Sequence, residues 1–387
     1  MPDRPVKPNR EKPVTALVLT GGGARAAYQV GVLKAVCELM PEGNENPFAI
    51  LCGTSAGSIN VIALAVYARH FRRGIRRLNR IWCNFHVDQV FKADPGSILV
   101  SGARWLLAMM LGGFGSRKAA YFLDRQPLRD LLSRVIAFEK IQPSIDAGVL
   151  HALSITASGY SSGESVSFYQ GVDDLKTWRR ARRIGIRSAI NLDHLMASSA
   201  IPFLFKAIKI NREYFGDGSM RQSAPISPAL HLGADRVLVV GVHKEVNARS
   251  SRVKSAGYPS LAHIVSHILN SIFLDSLDAD LERLQRINKT LHTISATGNA
   301  DNIPLREIEV LVVSPSEDLG EIAQRHAHHL PWALKFFLRG IGAMKKDSSS
   351  SLVSYLLFEK SYCQELISLG YADAMQKKDE LKVFLDI

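Results

Sequence analysis

The chain has 387 residues, 47% of them hydrophobic and 22% charged, a balance that supports a buried core and excludes a chain disordered throughout. Lys and Arg number 48 against 36 Asp and Glu, and the formal net charge of +12 favours anionic partners without choosing among membrane, nucleic acid and acidic metabolites. Cys37, Cys52, Cys83 and Cys363 lie far apart and mostly in apolar runs, which excludes a disulfide framework or zinc spacing and reads as reduced, buried thiols.

Residues 1–13 are polar, basic and carry four prolines, and read as a disordered arm. Val14 to Thr20 is a short apolar strand ended by three glycines, and Arg25 to Met40 has helical periodicity with Tyr28, Val32, Leu33, Val36 and Leu39 on one face. Phe48 to Cys52 reads as a second strand and Ser58 to His70 as a second helix. Strand–helix–strand–helix is the pattern of a parallel sheet with crossover helices. The next stretch is less regular, with a predicted helix at Leu128 to Ala137. Strand signals return at Ala152 to Ala157 and Ser165 to Tyr169, joined by a polar Gly/Ser turn that predicts a hairpin. A helical segment follows at Leu192 to Ser199, then strands at Phe205 to Ile210, Arg236 to Val242 and Glu309 to Val313. A long amphipathic helix is expected over Pro259 to Asn288, and the chain beyond Ser314 is helical.

Val14 to Thr20 is too short for a signal-peptide core, and no apolar run is long enough to span a bilayer. The nearest case, Ile98 to Phe114, is broken by Arg104 and several glycines; it reads as a buried helix or as an apolar flap. The expectation is a cytoplasmic, peripherally membrane-associated protein with no Sec signal and no transmembrane helix.

Three short motifs carry chemistry. Gly53-Thr-Ser-Ala-Gly57 is a G-x-S-x-G sequence between a predicted strand and a predicted helix, the setting of a nucleophile elbow. Small residues at Gly53 and Gly57 let a sharp turn form and raise the Ser55 hydroxyl to the positive end of a helix. Gly21-Gly-Gly-Ala-Arg25 also joins a strand to a helix, and its backbone N–H groups suit either a phosphate cradle or an oxyanion hole. Walker A is excluded because no Lys follows, and the dinucleotide fingerprint is matched only in part, with Ala26 at its third glycine. Asp217 stands in Gly216-Asp-Gly-Ser219, which reads as a turn or as a base for the serine. Twelve histidines compete for that role, and His194 and His243 are the best placed.

These motifs, in this order, resemble those of the patatin-like phospholipase family. Gly21 to Ala26 resembles the family's G-G-G-x-[RK]-G loop, Gly53 to Gly57 its elbow, and Asp217-Gly218-Ser219 its D-G-[GA] acid; Ala197 to Pro202 resembles the segment before that acid. The resemblance covers roughly residues 14–315, and the C-terminal part, with Ser354 to Phe358 and Leu369 to Asp373, resembles the helical tail of larger bacterial members. It implies a three-layer α/β/α fold with a mostly parallel central sheet, divided into the arm at 1–13, a catalytic domain at 14–315 and a helical extension at 316–387. It also implies a Ser–Asp dyad without histidine. Ser55 would be the nucleophile, Asp217 the proton acceptor, and the N–H groups of Gly22, Gly23 and Ala24 the oxyanion hole. Gly21, Arg25, Gly53, Gly57 and Gly218 would support them, with no metal and no cofactor. Two positions depart from the pattern. Ala26 replaces a glycine, so the loop must adjust if positive φ or very close approach is needed there. Ser219 replaces Gly or Ala, and its hydroxyl is expected to bond Asp217 and lower its pKa.

The implied substrate is a phospholipid or lysophospholipid at an anionic membrane surface. The alternatives are an acyl thioesterase or transferase on soluble carriers, and a non-catalytic lipid-binding protein. Basic clusters at Arg69 to Arg80 and Arg179 to Arg187 read as solvated helix faces or as headgroup contacts. No nucleic-acid-binding signature is present in the sequence. The C-terminal helices are a candidate homodimer face, and His326-Ala-His-His329 reads as a solvated face rather than a metal site.

Overall fold

The computed structural model describes residues 13–387 apart from 44–45 and 341–350, most of 93–120 and 245–274, and 297–304. The arm and the apolar flap therefore lie almost wholly outside the described residues. The N-terminal alternation of strand and helix folds as the pattern predicts: β1 (Thr15–Leu19), α1 (Ala27–Leu39), β2 (Ile50–Thr54), α2 (Ala56–Val66) and α3 (Phe71–Trp82). After α4 (Gln126–Val135) and the short α5 (Ile141–Asp146), the strands β3 (Ala152–Gly159) and β4 (Ser165–Gly171) form the expected hairpin. Next come β5 (Trp178–Arg180), β6 (Arg183–Arg187), α6 (Leu192–Ser198), β7 (Ile208–Ile210), β8 (Glu213–Asp217), α7 (Ser227–His231) and β9 (Arg236–Val240). The chain continues through α8 (Asp275–Ala296) and β10 (Glu309–Val313) to five helices: α9 (Leu319–His326), α10 (Trp332–Gly340), α11 (Ser351–Leu356), α12 (Lys360–Gln376) and α13 (Lys378–Leu385).

The sheet order is β10-β9-β1-β2-β3-β4-β6-β5, with β8 pairing the end of β3 and β7 pairing β8. Strands β10 through β3 run parallel. Their side chains alternate between two apolar layers. Leu17, Leu19, Leu51, Leu238 and Val240 face the layer of α1, α2 and α3, whereas Ala16, Val18, Cys52, Val237 and Val239 face that of α7 and α8. Covering both faces makes the three-layer α/β/α fold. Crossover helices bring every parallel strand back in the same direction, so the ends of β1 and β2 open onto one edge.

Helices α11, α12 and α13 share the larger apolar layer with α1 to α3. Where α12 crosses α1, a Cβ added at Gly31 or Gly370 would sit 2.1 Å from a carbonyl oxygen of the other helix, of Ile367 and Tyr28 respectively. Tyr28 Oη donates to Asp373 Oδ2 across the same contact, at 2.9 Å.

Three sequence expectations change. The second basic cluster is no helix face but the β5–β6 hairpin. Its Arg-Ile-Gly-Ile-Arg run alternates with period two, and Gly185 lies flat under the Trp178 ring, where a Cβ would come within 2.3 Å. The strand expected from Phe205 shrinks to Ile208–Ile210, because Phe203 turns the chain with φ 65 and Phe205 N–H bonds back to Ile201 O. The long helix is described as Asp275–Ala296, running further than expected; part of its predicted start lies outside the described residues.

Candidate active site

Ser55 stands alone between the last residue of β2 and the first of α2. Its backbone adopts φ 54 and ψ −126, a conformation that costs a non-glycine residue about 1–3 kcal/mol and needs outside support. Ser198, at the end of α6, supplies part of that support. Its Oγ accepts the Ser55 N–H at 3.0 Å, donates to Thr156 O at 2.6 Å, and lies 2.9 Å from Ser58 Oγ. Gly53 lies beside the turn in β2. Gly57 lets α2 run against the end of β1, since a Cβ there would sit 2.3 Å from Leu19 O. The register pairs Leu19 with Gly53, so the elbow and the glycine-rich loop emerge side by side.

In that loop Gly21 and Gly22 lead into a 3₁₀ turn over Gly23–Ala26 that runs directly into α1. The first N–H groups of a helical turn have no intrahelical acceptor, so Gly23 and Ala24 begin with donors to spare. Positive φ falls on Gly23, at 56. Ala26 has φ −65 and ψ −9, ordinary right-handed backbone, so its departure from the glycine pattern requires no adjustment of the loop. A buried polar chain ties the loop to α2. Gln29 Nε2 donates to Thr20 O at 2.8 Å, Asn60 Nδ2 to Gln29 Oε1 at 2.9 Å and to Ala26 O at 3.2 Å, and Trp82 Nε1 to Asn60 Oδ1 at 2.9 Å.

Asp217 ends β8, which pairs antiparallel with β3 and so reaches back toward the elbow. Gly218 opens the 3₁₀ turn that follows. Ser55 Oγ donates to Asp217 Oδ2 at 2.5 Å, and the Ser219 N–H donates to Oδ1 at 2.9 Å. The carboxyl is fully buried, and burial raises it from 3.8 to about 6, against the opposing pull of Ser55, of the Ser219 N–H and hydroxyl, and of the Arg125 charge. Ser219 thus acts in the expected direction, but desolvation outweighs it. A carboxylate near pH 6 is a far better proton acceptor at neutral pH than one at its ordinary value.

Sequence reasoning missed Arg125. It is buried with no carboxylate bonded to it among the described residues, and its guanidinium carbon lies 4.8 Å from the Phe205 ring centroid. Its Nη1 donates to Ser199 O at 2.9 Å, and its Nη2 donates to Met196 O at 2.9 Å and to Lys206 O at 3.2 Å. It therefore fastens both ends of the segment between α6 and β7, whose Ala200 carbonyl accepts the Asp217 N–H at 2.9 Å. Burial lowers Arg125 to about 10, which leaves it charged at neutral pH. A lone arginine before Gln-Pro gives no sequence signal. Its importance comes from a loop 70 to 80 residues away.

The two histidines favoured from the sequence lie elsewhere. His194 Nδ1 is 2.8 Å from Asn191 Oδ1 with its ring edge-on to Phe168, and His243 faces Asp278 at 3.5 Å. His326 bonds Glu365, while His328 and His329 are exposed. Among the described residues no group of three or more His, Cys, Asp or Glu is placed to hold a metal ion. None of the described helices is long and apolar enough to cross a membrane.

Fold and site together define an α/β/α protein with a strained serine on a strand-to-helix elbow, bonded to a buried aspartate. The model of the patatin-like phospholipase family matches residues 17–230, more than half of the chain, and the chain belongs to that family. A cGAMP-activated phospholipase of Pseudomonas aeruginosa is 24% identical over 222 residues, which are 56% of this chain and 55% of that relative's length. Among solved structures, human GIVD cytosolic phospholipase A2 aligns with 98% of this chain and 61% of its own, at 11% identity and a TM-score of 0.42. VipD from Legionella pneumophila aligns with 95% of this chain and 67% of its own, at 12% identity and a TM-score of 0.34.

Proposed function

We propose that the chain is a serine acyl-ester hydrolase that works with a Ser55–Asp217 dyad on phospholipids or lysophospholipids at a membrane surface. The observation that carries this reading is the 2.5 Å bond from the Ser55 hydroxyl to a buried carboxyl, made from a strained elbow. Ser55 Oγ attacks the ester carbonyl carbon while its proton passes to Asp217 Oδ2. The oxyanion that forms is met by the N–H groups of Gly22, Gly23 and Ala24. When the tetrahedral adduct collapses, the carbon–oxygen bond to the leaving alcohol breaks and that oxygen takes the proton from Asp217. Asp217 then accepts a proton from water, whose oxygen attacks the acyl-enzyme carbonyl; as the bond from that carbon to Ser55 Oγ breaks, Oγ takes the proton back from Asp217, releasing the fatty acid and free Ser55.

Two surfaces favour a lipid interface over a soluble carrier. Helix α3 buries Phe71, Ile75 and Leu78 and exposes Arg73, Arg76 and Arg80, with no acidic residue in its length. Helix α10 exposes Trp332 and Phe336, one turn apart, beside exposed Arg339. Cations near an anionic bilayer contribute about 1 kcal/mol each, and aromatic side chains settle at the headgroup level.

The test is labelling with a fluorophosphonate, alongside hydrolysis of a short-chain ester and of anionic phospholipid vesicles, for wild type and Ser55→Ala. Since one relative carries the name of a cGAMP-activated enzyme, each assay is run with and without cGAMP. The expected result is labelling of wild type alone and a loss of turnover of about 10³-fold or more in the variant. Full activity in Ser55→Ala would refute the dyad. Equal rates on soluble and vesicle substrates would refute the interface.

A further inference from the structure

The three glycines that begin the loop have more conformational freedom than any other tripeptide, yet donors to an oxyanion act only when held in place beforehand. The chain's C-terminal part supplies a restraint. Helix α11 is seated on the loop so closely that a Cβ at Gly23 would lie 2.3 Å from the Tyr355 carbonyl oxygen. Next to it, Arg25 Nε donates to Ser354 Oγ at 2.8 Å, and the Arg25 guanidinium lies 4.4 Å from the centroid of the Tyr355 ring. Arg25, Ser354 and Tyr355 are all buried, and no carboxylate bonds Arg25 among the described residues, so these contacts fix where the guanidinium rests. From the other side Val242 closes on the loop, its Cγ2 2.7 Å from a Cβ built on Gly22. Helix α11 also packs on α9, and the helix that follows it is fixed on α1. Glycine contacts lock α12 to α1, and Asp373 Oδ2 accepts both Tyr28 Oη at 2.9 Å and the Ser316 N–H at 3.0 Å.

We infer that Ser354 and Tyr355 are positioning residues for the reaction: α11 clamps Arg25 and Gly23, and through them aligns the Gly22–Ala24 donors, so that turnover depends on a segment some 300 residues from the nucleophile in sequence. The inference rests on the Ser55 reading above. It assigns the last helices a task in the chemical step, on the side of Ser55 opposite the base.

The test compares Ser354→Ala, Tyr355→Leu and Tyr355→Phe in the full chain, on a soluble short-chain ester, with active sites counted by fluorophosphonate. Ser354→Ala and Tyr355→Leu should each lower kcat per labelled site by about 10-fold, with KM changed less than about twofold. Labelling should reach wild-type stoichiometry more slowly, and the pH midpoint of kcat should stay put, since Asp217 is untouched. Tyr355→Phe keeps the ring over Arg25 and should keep kcat. A folded Ser354→Ala or Tyr355→Leu variant with unchanged kcat per site overturns the inference, as does Tyr355→Phe losing as much as Tyr355→Leu. If Tyr355→Leu does not fold, Ser354→Ala alone decides, because it removes one hydroxyl. Wild type that never labels at Ser55 is the separate failure, that of the dyad.

Discussion

The two sides of Ser55 are built on different principles. On the side of the proposed base, Asp217 is fixed by short bonds from Ser55 and Ser219, with Arg125 fastening the neighbouring segment. Its chemistry comes from desolvation, which raises the carboxyl to about 6. On the loop side the proposed oxyanion donors are backbone N–H groups with no pKa to tune, and what matters is where they point. That geometry is set by Gly23, Ala26 and Asn60 locally and by α11 and α12 from the far end of the chain. A base is adjusted by its immediate environment, whereas a glycine loop has to be held by packing from outside.

The sharpest way to break the base side is Asp217→Asn, which should cost about 10³–10⁴-fold in kcat on a soluble ester. The same change should stabilise the fold. The folded carboxyl, at about 6, holds its proton more tightly than the ordinary 3.8, so its contribution to stability is present below about 3.8 and lost as pH rises through about 6. The variant carries no such loss and should gain on wild type by about 1–3 kcal/mol at neutral pH, a gap that closes toward pH 4 in thermal melts.

The loop side is tested by Gly23→Ala. It places a Cβ on a residue with φ 56 and drives it into the Tyr355 carbonyl. We expect about 10²-fold lower kcat, as for loss of an oxyanion donor, together with a lower Tm. Wild-type kcat in this variant would show that the loop tolerates displacement and would dissolve the contrast between the two sides.

The smallest effect separates charge from geometry. Removing the Arg125 charge in Arg125→Met relieves the pull on Asp217, so the rising limb of the pH–rate profile, expected near 6 in wild type, should move to higher pH. A limb that does not move, with kcat reduced at every pH, would assign Arg125 to holding the segment between α6 and β7 alone.

Much of the base side could be read in the sequence. Gly53 to Gly57 and Asp217-Gly218 are local patterns whose chemistry needs those residue types at those spacings, and β2 and α2 frame the first as expected. Ser198 lay within a stretch matched to the family but showed its role only once its hydroxyl was seen under the Ser55 N–H. Arg125 and Asn60 carried no signal, because each acts on a backbone or side chain far along the chain; Ser354 and Tyr355 stood in a run similar to the family's helical tail, but their contacts with Arg25 and Gly23 showed only in the packed structure. The departures were legible as residues but not as consequences. Ala26 needs no positive φ because the left-handed residue is Gly23, and Ser219 is outweighed by burial.

Period and composition by themselves determined the strand–helix alternation, the parallel sheet and the two motif turns, since these depend on neighbours a few residues apart and on which faces are apolar. Tertiary structure decided the rest. It set how deeply Asp217 is buried, that the Arg179 to Arg187 cluster is a hairpin, and that the last helices close over the first loop. Burial and long-range contact are properties of the packed whole, and one chain's sequence does not say which distant segments will meet.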